Sequence, residues 1–287
     1  MSERGIQNMK INLRRPKSVR ITKSHAVCGG HRIPLLILSP ETGAKDAPGV
    51  LWIHGGGYIA GMKEMAYMSR AADLVREFGA VAVSPGYRLA WLHPFPAALD
   101  DCYATLLWMN ENCLSLGIRP DRLIVGGESA GGGLAAAVCM RARDEKRVRI
   151  AFQLPLYPML DNLDTESSRD NHGRVWNTRR NHIGWRVYLR SDAKKDVPPY
   201  ASPARQTDYA ALPPCYTFVG DGEPFFAETL AYVENLRKAG VEARCDVYHT
   251  DIHAFDMLHP ELDVSKRAVK AFQENFAAAM KSVSAPR

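Results

Sequence analysis

Short apolar runs recur along the chain at 33–38, 50–54, 81–84, 123–126, 150–156, 216–219 and 243–248, several too continuously apolar for a sheet with one wet face. Such runs predict strands buried on both sides. Between them, helical patterns span roughly 64–78, 96–115, 130–146, 226–239 and 263–281, and Gly240 is placed to stop the fourth. Strand and helix in alternation predict a doubly wound, mostly parallel α/β sheet with helices on both faces, whose ligands sit beyond the carboxyl ends of the strands. The stretch at about 160–205 breaks the pattern. It is polar, carries a short helical pattern over 176–189, and ends in Pro198-Pro199-Tyr200-Ala201-Ser202-Pro203. It reads as an insertion covering one face of a single domain of 287 residues.

Ser129 stands in Gly127-Glu128-Ser129-Ala130-Gly131, between the apolar run Leu123-Ile124-Val125 and the small-residue run Leu134-Ala135-Ala136-Ala137-Val138. Strand, tight turn and helix in that order hold a serine hydroxyl above the sheet edge, and the flanking glycines let neighbouring backbone approach. An ordinary helix entry capped by serine would share this pattern. The second motif, His54-Gly55-Gly56-Gly57 after Val50-Leu51-Trp52-Ile53, argues for more, because three glycines in a row leave backbone N–H groups open to a ligand.

A serine nucleophile needs a base, and the base needs an acid to fix its tautomer. His253 follows the run at 243–248 by the loop Thr250-Asp251-Ile252, and Asp221 and Glu223 both follow the run at 216–219. Either acid suits the chain order serine, acid, histidine.

These residues resemble the hormone-sensitive-lipase-like branch of the α/β-hydrolase superfamily, the bacterial group IV esterases. The resemblance runs from about residue 30 to the C-terminus through His54-Gly55-Gly56-Gly57, Tyr87-Arg88-Leu89, His93-Pro94-Phe95-Pro96-Ala97-Ala98, the glycines around Ser129, Tyr200-Ala201-Ser202-Pro203 and His253-Ala254-Phe255. It implies an α/β-hydrolase fold with a small cap or lid drawn from 1–25 and about 160–205. It also implies a serine carboxylesterase with Ser129 as nucleophile and His253 as base. The family's Asp-Pro-Leu acid corresponds to Glu223-Pro224-Phe225, so the resemblance favours Glu223 over Asp221. The oxyanion hole is expected from Gly55, Gly56 and Ala130, with Gly57 supporting the turn and His54 bracing it.

Two departures bear on substrate. Trp91-Leu92 replaces the family's usual Pro-Glu, and the glycine motif comes early, which implies a smaller or more open cover. Short acyl esters, acetyl to butyryl, are therefore expected. Tyr58, Trp91, Trp176, Trp185, Phe225 and Phe226 are aromatic residues able to line a pocket, of which Tyr58 and Phe225 or Phe226 are favoured by their neighbours in sequence. An amidase or peptidase on the same fold, or a ligand receptor without catalysis, are the competing readings.

A formal charge of +6 is spread along the chain, and the basic residues Lys10, Arg14, Arg15, Lys17 and Arg20 lack interleaved aromatics, so a solvated basic face is expected rather than a nucleic-acid partner. No apolar stretch of signal-peptide or membrane-span length is present, which predicts a cytoplasmic protein without membrane contact. The six cysteines show no zinc or redox spacing and are read as reduced thiols. No metal or organic cofactor is expected. The partner is a small ester, with a homodimer as the family's common assembly.

Overall fold

The computed structural model describes residues 15–190 and 196–284. Eight strands form one sheet: β1 (Val19–Cys28), β2 (His31–Pro40), β3 (Ala47–Ile53), β4 (Val81–Pro85), β5 (Ile118–Glu128), β6 (Phe152–Leu156), β7 (Cys215–Gly220) and β8 (Ala243–Tyr248). Their order is β1-β2-β4-β3-β5-β6-β7-β8. The pairs β1/β2 and β2/β4 are antiparallel, and the sheet is parallel from β4 to β8. The helices are α1 (Arg70–Phe78), α2 (Ala97–Glu111), α3 (Cys113–Leu116), α4 (Ala130–Glu145), α5 (Thr178–Leu189), α6 (Phe226–Lys238), α7 (Phe255–Leu258) and α8 (Asp263–Ser284).

Side-chain alternation along the strands divides the core into two layers. Leu51 and Ile53 of β3 pack on one face with Leu123 and Val125 of β5 against α2, α4 and α6. Val50 and Trp52 pack on the other with Leu36, Leu38 and Ile124 against α1 and α8. β3 is buried along its whole length, as expected of a strand covered on both sides.

The expected strands are all present, and one more precedes them. Val19–Cys28 alternates exposed, polar positions with a few buried ones and hydrogen-bonds only to β2, so it carries no continuous apolar run. Residues 19–25 of the segment expected to form cover are thus an edge strand of the sheet, and residues 1–14 of that segment lie outside the described residues.

Leu160 and Ser202, at the two ends of the 160–205 excursion, meet: Ser202 Oγ donates to Leu160 O at 2.8 Å and Ala204 N to the same oxygen at 3.1 Å. Arg205 grips Asp161 through two bonds of 2.6 Å, and the buried Glu228 of α6 accepts from the N–H groups of Leu160 and Asp161. Among the described residues no helix is long and apolar enough to cross a membrane.

Candidate active site

Four loops at the carboxyl ends of β3, β5, β7 and β8 carry the sequence-selected residues. Ser129 lies between β5 and α4 with φ 57° and ψ −121°, a left-handed backbone that a side-chain-bearing residue adopts only when its surroundings enforce it. The enforcement is visible. Ser129 N donates to Leu156 O at 3.0 Å and its carbonyl accepts from Gly133 N and Met159 N. A β-carbon on Gly131 would stand 2.0 Å from Ile53 O, and one on Gly127 2.5 Å from the same atom, so both positions must be glycine for the turn to close on β3.

The Ser129 hydroxyl is 2.9 Å from Nε2 of His253, and Nδ1 of His253 is hydrogen-bonded to Oε2 of Glu223. Because a carboxylate only accepts, Nδ1 carries the proton and Nε2 is left to accept from Ser129 Oγ–H. Glu223 is 1 % exposed and Ser129 6 %, so this relay runs in a medium that screens charge weakly. Burial raises the Glu223 carboxyl above the ordinary glutamate value, opposed by the neighbouring His253. Asp221 is placed elsewhere: its carboxylate takes Nδ1 of the exposed His249 at 2.9 Å and Thr250 N at 3.1 Å, tying the β7 and β8 loops together. The structure brings Glu223, not Asp221, to His253.

Gly55 and Ala130 adjoin Ser129, one across the turn and one along the chain, and Gly56 follows Gly55 in the glycine loop. A β-carbon on Gly55 would lie 3.3 Å from Ser129 Cβ, and among the described residues neither the Gly55 nor the Gly56 N–H donates to another backbone oxygen. Ala130 is the first residue of α4, so its N–H has no partner within the helix. The Gly57 N–H, read from sequence only as turn support, is likewise free of a backbone acceptor.

His54 is buried. Its Nδ1 donates to Gly55 O at 2.8 Å, its ring stacks on Tyr87 with centroids 4.2 Å apart, and burial lowers its pKa to about 4, which keeps the ring neutral. Tyr87 Oη also donates to His54 O at 3.0 Å. The next residue, Arg88, clamps the fully buried Asp101 of α2 through its backbone N–H, Nε and a terminal nitrogen. Asp101→Ala should therefore destabilise the fold by about 3 kcal/mol, the lower end of the cost of orphaning one member of a buried ion pair, since Arg88 keeps some access to water. The denaturant midpoint measures this; a shift worth under 1 kcal/mol would contradict it.

A match to the family model described as alpha/beta hydrolase fold extends over residues 50–257, from β3 through the loop bearing His253. The chain belongs to the α/β-hydrolase family. Within that family it is a hormone-sensitive-lipase-like esterase of group IV type. It is 30% identical over 228 residues to carboxylesterase NlhH of Mycobacterium tuberculosis, an alignment covering 78% of this chain and 71% of that one. It is 26% identical over 230 residues to ethyl acetate hydrolase of Pseudomonas putida, covering 79% and 72% respectively. Among solved structures, bacterial heroin esterase superposes with a TM-score of 0.85 at 33% identity, over 93% of this chain and 84% of that one.

The aromatic residues favoured for the pocket are placed differently from expectation. Tyr58 is 1 % exposed, stacks on Tyr188 with centroids 3.9 Å apart and donates its hydroxyl to Met159 O, leaving no surface for a substrate. Phe225 is fully buried and meets the His253 ring edge-on at 5.1 Å, so it seats the imidazole instead of facing solvent. Phe226 begins α6 and packs, half-buried, with the α1/α8 layer. Trp176 and not Tyr58 is the partly exposed aromatic against the glycine loop.

Four supporting residues were not singled out by sequence. Tyr157 meets the His253 ring edge-on at 5.2 Å and donates its hydroxyl to Asp256 at 2.9 Å, and Asp256 is paired with the buried Arg70 at 3.2 Å. Glu128, immediately before the serine, accepts the Trp52 indole N–H at 2.8 Å, and burial lifts its pKa to about 8. Among the described residues no three His, Cys, Asp or Glu side chains converge as a metal site.

Proposed function

We propose that this carboxylic ester hydrolase works through Ser129, His253 and Glu223 on short-chain acyl esters, acetyl to butyryl. Ser129 Oγ attacks the ester carbonyl while its proton passes to His253 Nε2, and Glu223 stabilises the imidazolium that results. The carbonyl oxygen, now charged, is held by the N–H groups of Gly55, Gly56 and Ala130, the last at the positive end of a sixteen-residue helix. His253 returns the proton to the alcohol oxygen as the C–O bond breaks. A water then attacks the acyl carbonyl on Ser129, giving its proton to His253, which passes it to Ser129 Oγ as the acyl C–Oγ bond breaks and the acid departs. The 160–205 excursion acts as the cap.

The observation that carries this reading is the continuous relay from a strained serine through one imidazole to a buried carboxylate, beside backbone donors without acceptors. The acyl preference rests on the close seating of α5 on the glycine loop, where a β-carbon on Gly184 would be 3.0 Å from Gly57 O, and on the kinship with an ethyl acetate hydrolase. Steady-state assays with p-nitrophenyl esters test it: kcat/KM should be greatest between acetate and butyrate and fall toward palmitate. A rise toward palmitate would overturn the acyl assignment, and absence of turnover on every ester would overturn the reading as a whole.

A further inference from the structure

Trp176, in the cap, reaches the glycine loop. A β-carbon on Gly57 would lie 2.1 Å from Cη2 and 2.8 Å from Cζ2 of its indole, so the ring rests directly on Gly57 backbone. Its other side is tilted against Phe225 with centroids 6.5 Å apart, and Phe225 in turn seats the His253 ring. The ring is pinned from α5 as well. Its Nε1–H donates to the buried Asn181 at 3.3 Å, and a β-carbon on Gly184 would be 3.4 Å from Cζ2. Three elements hold the indole, yet it remains partly exposed, unlike the buried Phe225 beside it.

We propose that Trp176 is the specificity-determining residue that sets the upper length of the acyl group. The inference rests on the esterase reading above. With the carbonyl oxygen at the glycine loop and the alcohol oxygen at His253, which must protonate it, the acyl carbon chain leaves the reacting centre on the side of Gly57. There it meets a ring that is held too firmly to swing aside. An apolar pocket discriminates by about tenfold or more for a single methylene that does not fit, so one fixed indole is sufficient to end a preference within a few carbons.

The test compares wild type with Trp176→Phe, Trp176→Leu and Trp176→Ala on p-nitrophenyl acetate, butyrate and octanoate. The octanoate-to-acetate ratio of kcat/KM should rise in the order Phe, Leu, Ala, reaching roughly tenfold or more over wild type in Trp176→Ala. Because the ratio is taken within one protein, a reduced folded fraction cancels. An unchanged ratio, with all esters falling by one factor, would reduce Trp176 to packing and overturn the proposal. So would a shift confined to the alcohol, seen in methyl, butyl and octyl acetates. Turnover that survives Ser129→Ala would instead overturn the esterase reading beneath it.

Discussion

Ser129→Ala is expected to lower kcat for p-nitrophenyl acetate by about 10⁶, the scale reached when the nucleophile of a cooperating set is deleted. The change removes one oxygen. Alanine keeps the Cβ that stands beside Gly55, and the backbone bonds that hold the turn, from Ser129 N to Leu156 O and from Met159 N to Ser129 O, do not involve the side chain. Thermal unfolding should therefore move little, and the loss should appear in turnover alone. The residual rate would come from the backbone donors and from positioning. Activity within tenfold of wild type would mean that another group attacks the ester, and the proposed relay would be abandoned.

Glu223→Ala should cost about 10⁴ in kcat, the scale seen when a triad histidine loses the group that fixes its tautomer. Glu223→Gln should cost nearly as much, because the amide can present an N–H to Nδ1 and turn the imidazole into the wrong tautomer. Asp221→Ala is the matched control. The Asp221–His249 pair lies at the surface, where such pairs are worth about 0–1 kcal/mol, so kcat should stay within about threefold of wild type. The reverse result, an inert Asp221→Ala beside an active Glu223→Ala, would transfer the role to Asp221. Glutamate reaches His253 here although its loop also holds the shorter acid, because Glu223 closes the turn onto α6, with Phe226 N donating to Glu223 O, and is carried into the buried layer.

Why some of this was legible in sequence and some was not follows from range. The buried parallel strands announce themselves by unbroken apolar runs, and the serine and the acid each follow such a run, whereas the histidine follows β8, the far edge strand, whose run is broken by Arg244 and Asp246. β1 has no such run, because an edge strand has one wet side; its signal was the two-glycine turn Cys28-Gly29-Gly30-His31, which joins it to β2. Tyr58 looked like pocket because it adjoins the glycine loop, but its own φ of 66° and the stacking of Tyr188, 130 positions away in the chain, decide where it lies. The Tyr157–Asp256–Arg70 chain joins three segments that share no local pattern, and only the fold assembles it. Trp176 is one aromatic among several in the sequence, and only its seat on Gly57 sets it apart.

The contacts among Leu160, Asp161, Ser202, Arg205 and Glu228 bring the two ends of the excursion together beside α6, while its interior touches the site through Trp176 on Gly57 and Asn171 on Gly222 O. A chain that departs and returns at a single point behaves as a closed ring, whose entropy changes by only about 0.6 kcal/mol for each doubling in length. Evolution can thus lengthen or shorten the cover here at little entropic cost, altering which esters gain entry, provided that the replacement still supports Gly57 and Phe225.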